Sequence, residues 1–72
     1  MNKILVTGSN GLLGQKITDL ALADNSIELI ATSRGENRHP VKNGYHYIDL
    51  DIVDPQRLRE TVAEYRPDVI IN

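Results

Sequence analysis

Gly8, Gly11 and Gly14 stand at three-residue spacing in VTGSNGLLG, directly behind a short apolar run. The stretch carries no charged side chain. What it can supply is bare backbone, with amide N–H groups turned toward an anion. In this reading Gly8 permits a sharp turn and Gly11 leaves the chain uncovered where a helix begins. Gly14, one turn in, lets that helix lie close against the preceding strand. The amides around Gly11, Leu12 and Leu13, with Asn10 in the same loop, then carry the positive end of a helix dipole toward phosphate. A dinucleotide's diphosphate fits such a seat. The plain alternative is a glycine turn that packs strand on helix and binds nothing.

Further along, an acidic residue about 20 positions past such glycines usually grips the ribose 2′-hydroxyl of NAD. Here Ser33 occupies that place, followed by Arg34. A carboxylate repels a 2′-phosphate, whereas a hydroxyl beside a guanidinium binds one through charge-assisted hydrogen bonds. The pair therefore reads as favouring NADP over NAD, against the alternative that Arg34 is a solvated loop residue. Arg38 is a weaker candidate for the same phosphate. His39 and His46 lack metal-ligand spacing; His39 reads as a solvated loop residue and His46 as a strand surface residue. Tyr45 and Tyr47, on one side of their strand, read as packing residues.

The elements that must position these groups are legible in the periodicity. KILVT (Lys3 to Thr7) is a continuous apolar run, the pattern of a strand buried on both faces. Leu13, Ile17, Leu20 and Ala21 recur at helical spacing from Gly11 to about Ala23. IELIAT (Ile27 to Thr32) is a second strand. SRGENRHPVKNG shows no helical stripe, contains Pro40 and closes on the Asn43-Gly44 turn signal, so it reads as a helix-free crossover. YHYIDL (Tyr45 to Leu50) is a third strand. Asp54 as N-cap and Pro55 at the first position start a second helix through Leu58, Val62 and Tyr65, which Pro67 ends. DVIIN (Asp68 to Asn72) is a fourth strand, apolar and exposed to pairing if it lies at an edge. Strands alternating with helices call for a parallel sheet with right-handed crossovers.

KILVTGSNGLLG, DIVDP and RPDVIIN together resemble the extended branch of the short-chain dehydrogenase/reductase superfamily, which acts on nucleotide-sugars. The glycine motif marks the superfamily, and its combination with RPDVIIN points to the dTDP-4-dehydrorhamnose reductase subgroup. The resemblance implies an α/β fold: the N-terminal half of a Rossmann fold, with a four-stranded parallel sheet in the order 3-2-1-4 and one helix on each face. It implies NADPH-dependent reduction of a nucleotide-linked 4-keto sugar. It also implies that Asp51 accepts the adenine amino group while Ile52 covers the ring, although Asp51 fits equally a loop carboxylate serving local turns. Asp54 is left to helix capping.

The superfamily's chemistry uses a tyrosine with a lysine four residues on, plus a serine or threonine. The tyrosines here have Asp49, Asp51 and Val69 at that offset. Residues 1–72 are therefore expected to be the N-terminal fragment of a longer NADP-binding enzyme, inactive alone and open to self-association through its sheet edge. A nucleotide-sugar epimerase or dehydratase and a non-catalytic NADP-binding regulatory subunit of the methionine adenosyltransferase type are the competing parents. Folding alone as a small nucleotide-binding module is a third possibility, although a chain this short buries only about 60% of its unfolded surface.

Composition sets the outer limits. Hydrophobic residues make up 40% and charged residues 25%, the net charge is −2, and there is no cysteine. Scattered basic residues give no footprint for nucleic acid or a membrane surface. The cysteine-free chain fits a reducing, cytoplasmic setting and has neither disulfides nor thiolate metal sites.

Overall fold

The computed structural model describes Asn2–Asn72. In chain order it contains β1 (Asn2–Thr7), α1 (Leu12–Leu22), β2 (Ile27–Ser33), β3 (His46–Asp49), α2 (Pro55–Tyr65) and β4 (Val69–Ile71). All strand pairs are parallel and the order across the four-stranded sheet is β3-β2-β1-β4. This is the expected half of a Rossmann fold.

The central position of β1 explains its composition. Leu5 lies in register with Ile30 on one side and Ile70 on the other, and both Leu5 and Ile30 are fully buried. The pleat sends alternate residues to opposite faces. Val6, Leu29 and Ala31 face α1, where they pack with Ala21, Ile17, Ile4 and Ile71. The other face carries Leu5 and Ile30, and α2 covers it. Tyr65 of α2 sets its ring 5.5 Å from that of His46, which is in register with Ile30. One helix therefore lies on each face.

Both helices start and stop for local reasons. The Asp54 side chain accepts the Arg57 N–H (3.1 Å) and Pro55 opens α2. Arg66 takes the left-handed conformation (φ 49°) and ends it just before Pro67. At the end of α1 the Ala23 N–H turns back to the Asp19 carbonyl (3.2 Å), and Asp24 caps the following turn by accepting from Ser26 N–H (2.9 Å).

Residues 34–45 cross from β2 to β3 without a helix. His39 departs from its expected place in solvent. It is buried, with Nε2 2.6 Å from Asp19 Oδ1 on α1, Nδ1 accepting the Val41 N–H (3.0 Å), and its ring edge-on to Tyr45. A polar crossover has no apolar stripe to dock, so one imidazole with both nitrogens satisfied serves as its anchor. Among the described residues, no helix is long and apolar enough to cross a membrane.

Gly14 makes the tightest approach of the glycines. A Cβ there would stand 2.5 Å from Ser9 Cα and 2.6 Å from the Gly8 carbonyl oxygen. The close partner is the turn just past β1, not the body of the strand as the sequence reading had it. Backbone cannot yield as a side chain can, so Gly14→Ala is expected to destabilise by about 2–3 kcal/mol. Urea unfolding should show a lower midpoint at unchanged slope. An unshifted midpoint would refute the contact.

Candidate functional site

The chain leaves β1 through Gly8 at φ +71°, a conformation that costs other L-residues about 1–2 kcal/mol. Ser9 N–H then donates to the Thr32 carbonyl (2.9 Å), tying the turn to the end of β2. Ser9 Oγ is buried and has no hydrogen-bond partner among the described residues. Gly11 N–H closes the turn on the Gly8 carbonyl (3.0 Å), so this amide, counted with the anion seat from sequence, is spent inside the loop. Gly11 is the N-cap of α1, extended and without a side-chain cap. The Leu12, Leu13 and Gly14 N–H groups find no acceptor among the described residues, and the Leu12 and Leu13 side chains are exposed. The free donors of the helix start are therefore these three, with Leu12 and Leu13 on its exposed side.

A Cβ on Gly11 would meet only the Gly8 carbonyl oxygen, at 3.4 Å. Packing within the chain does not demand glycine there. A side chain would instead narrow the adjoining cleft, which Gly11, Leu12 and Leu13 line with Ile71 and Asn72. This cleft holds about 270 Å³. A larger one, about 450 Å³, opens on the other side of Gly8 and is bordered by Thr32, Ser33, Arg34, Asp51 and Ile52. Thr7 and Gly8 line both. Together the clefts cross the carboxyl ends of β2, β1 and β4, where ligands of open α/β sheets bind. An uncapped helix start, bare at Gly11 and flanked by two clefts, fits a diphosphate with a group extending to each side.

The residues singled out from sequence do not all face these clefts in the same way. Ser33 ends β2, half-buried, and its carbonyl accepts the Leu50 N–H (2.9 Å). The Arg34 side chain is exposed, with Nη1 3.8 Å from Asp51 Oδ2. An exposed pair at this distance contributes at most about 1 kcal/mol, so the guanidinium can turn to another anion at little cost. Asp51 Oδ1 accepts the Val53 N–H (3.0 Å), a local turn, while its other oxygen faces Arg34. Ile52 lies half-exposed on the cleft wall.

Asn10 is turned onto the crossover. Its Nδ2 donates to the Glu36 carbonyl (2.8 Å) and the Arg34 carbonyl (3.3 Å), and its Oδ1 accepts the Arg38 N–H (2.7 Å). Tyr47, read as a packing residue, also has a polar task. Its hydroxyl donates to the Gly35 carbonyl (2.7 Å), and the Asp49 carboxylate accepts the Gly35 N–H (2.9 Å). These contacts link residues far apart in the chain, and nothing in local spacing announces them.

The family described as NAD dependent epimerase/dehydratase matches residues 4–72. The chain is 37% identical over 68 residues to dTDP-4-dehydrorhamnose reductase of Streptomyces griseus, covering 94% of this chain and 18% of that protein. It is 33% identical over 76 residues to UDP-glucose 4-epimerase of Mycolicibacterium smegmatis, covering 97% and 24% respectively. The crystal structure of UDP-glucose 4-epimerase from Thermus thermophilus in complex with NAD aligns with a TM-score of 0.78 and 26% identity, over 94% of this chain and 22% of that one. The chain thus spans a quarter or less of the length of these relatives.

Burial raises the Tyr47 pKa above the usual phenol value; Asp49 adds to the rise, while the Asn10 hydrogen bond and the Arg38 charge oppose it. A raised value means that the fold favours the protonated phenol. The stability this supplies is complete below the ordinary phenol pKa of about 10 and is lost as pH rises through the folded value. Melting temperature should therefore fall at alkaline pH more steeply in the wild type than in Tyr47→Phe. Parallel alkaline limbs in thermal melts of the two proteins would contradict this.

Proposed function

The chain belongs to the NAD dependent epimerase/dehydratase family, and from that premise we propose that it forms the adenine and diphosphate side of an NADPH-dependent reductase acting on a nucleotide-linked 4-keto sugar. The observation that carries the reading is the uncapped first turn of α1, bare at Gly11, between two clefts at the carboxyl ends of the strands. The 37% identity to a dTDP-4-dehydrorhamnose reductase supports this substrate class. A nucleotide-sugar epimerase is the second reading, favoured by the 33% identity to UDP-glucose 4-epimerase.

In this proposal the Leu12 and Leu13 amides hold the diphosphate, Arg34 pairs with a 2′-phosphate, and Asp51 and Ile52 border the adenine. A nicotinamide held there would supply hydride to the carbonyl carbon. The chain contains no Tyr-x-x-x-Lys, so the group that protonates the resulting alkoxide belongs to the remainder of a longer cytoplasmic protein. A Tyr-x-x-x-Lys in that remainder separates an enzyme from an NADP-binding regulatory subunit. Half-exposed Val69 and Ile70 on the β4 edge support a further strand there, self-association through that edge being the alternative.

Titration of the full-length protein with NADP and NAD tests the assignment. Arg34→Ala removes one charge-assisted contact and should weaken NADP about tenfold with little change for NAD. Arg34→Asp should reverse the preference. Equal loss for both cofactors would count against the 2′-phosphate role. Gly11→Ala should weaken both cofactors alike while changing stability by less than about 1 kcal/mol; unaltered binding would remove the diphosphate seat.

A further inference from the structure

Asn10 sits in the turn that forms the diphosphate seat, yet its side chain bonds to the opposite arm of the site. Nδ2 donates to the carbonyls of Arg34 and Glu36, and Oδ1 accepts the N–H of Arg38. The Tyr47 hydroxyl lies 3.5 Å from the same Nδ2. Behind it, the Asn10 carbonyl accepts from Gln15 Nε2 (2.9 Å), which braces the turn on α1. One carboxamide thus joins the glycine turn to the backbone of both arginines of the crossover, where no helix or strand ladder holds the chain.

We propose that Asn10 is a positioning residue for cofactor choice. It fixes the spacing between the diphosphate seat and the Arg34–Arg38 segment, so that a 2′-phosphate meets its cation already in place. The inference rests on the reading that Arg34 takes that phosphate. The chemistry needed is narrow: donors toward two carbonyls and an acceptor toward an N–H, on one short planar group. Aspartate at this position keeps the shape and the acceptor but sets a carboxylate against the two carbonyls. Alanine removes all three bonds. Once the segment is released, binding a 2′-phosphate must also order it, and affinity for the phosphorylated cofactor falls. NAD carries no 2′-phosphate and makes no such demand.

The test is titration of the full-length protein with NADP and with NAD, comparing wild type, Asn10→Ala, Asn10→Asp, Arg34→Ala and the Asn10→Ala/Arg34→Ala pair. Asn10→Ala and Asn10→Asp are each expected to weaken NADP about tenfold and NAD less than twofold. With Arg34 already truncated, Asn10→Ala should weaken NADP little further, because both changes remove one interaction. Hydrogen exchange of the Arg38 amide should quicken in Asn10→Ala. Equal loss of both cofactors, loss of neither, or fully additive losses in the pair would overturn the inference, as would unchanged Arg38 exchange. If Arg34→Ala lowers NADP affinity selectively and the Asn10 variants do not, the inference alone fails. If Arg34→Ala leaves the NADP-to-NAD ratio unchanged, the cofactor reading fails and takes the inference with it.

Discussion

The start of α1 must come within van der Waals distance of the backbone that leaves β1. Gly14 sits where a Cβ would enter Ser9 Cα and the Gly8 carbonyl, and this contact sets where the helix begins relative to the sheet. From it follow the direction of the uncapped Leu12 and Leu13 amides, the position of Ala21 and Ile17 over β2, and the gap between the two clefts. Each glycine of the motif answers to a different constraint. Gly14 is required by packing, Gly8 by its backbone angle, and Gly11 by neither. A position that packing leaves free while it borders an uncapped helix start is where a ligand's demand is most plainly read.

The second half of the site is built by different means. A parallel connection usually spans the sheet with a helix, whose apolar stripe fixes it in place. Residues 34–45 have none and are held by side-chain bonds to backbone, from Asn10 at Arg34, Glu36 and Arg38 and from Tyr47 and Asp49 at Gly35, and by the side-chain pair of His39 with Asp19. Hydrogen bonds of this kind stabilise by about 1 kcal/mol each, but they are directional. They serve placement well and adhesion poorly. A segment so held keeps Arg34 exposed and only loosely paired with Asp51, a cation near the cleft without a strong partner.

The fold was legible in the sequence because its signals are local. KILVT reads as a doubly buried strand, the Leu13–Ala21 stripe as a helix, Asp54-Pro55 as a helix start, and β1 to β4 came out in the expected 3-2-1-4 order. Local backbone chemistry likewise announces the Gly8 turn and the bare Gly11. The third strand proved shorter than Tyr45 to Leu50, since only His46–Asp49 has a ladder partner in β2.

Contacts between distant segments decided the rest. Asn10 reaches 24 to 28 residues along the chain, and no periodicity encodes a bond of that span. His39 looked solvated because its neighbours are polar; its burial exists only once the crossover folds back on α1. Sequence alone determined the elements, their order and the bare turn, since strand burial, helix periodicity and glycine's dihedral freedom act within a few residues. Tertiary structure alone decided which first-turn amides stay free, what Gly14 touches and how the arginine segment is held, because such contacts depend on which backbone groups become neighbours after the sheet is assembled.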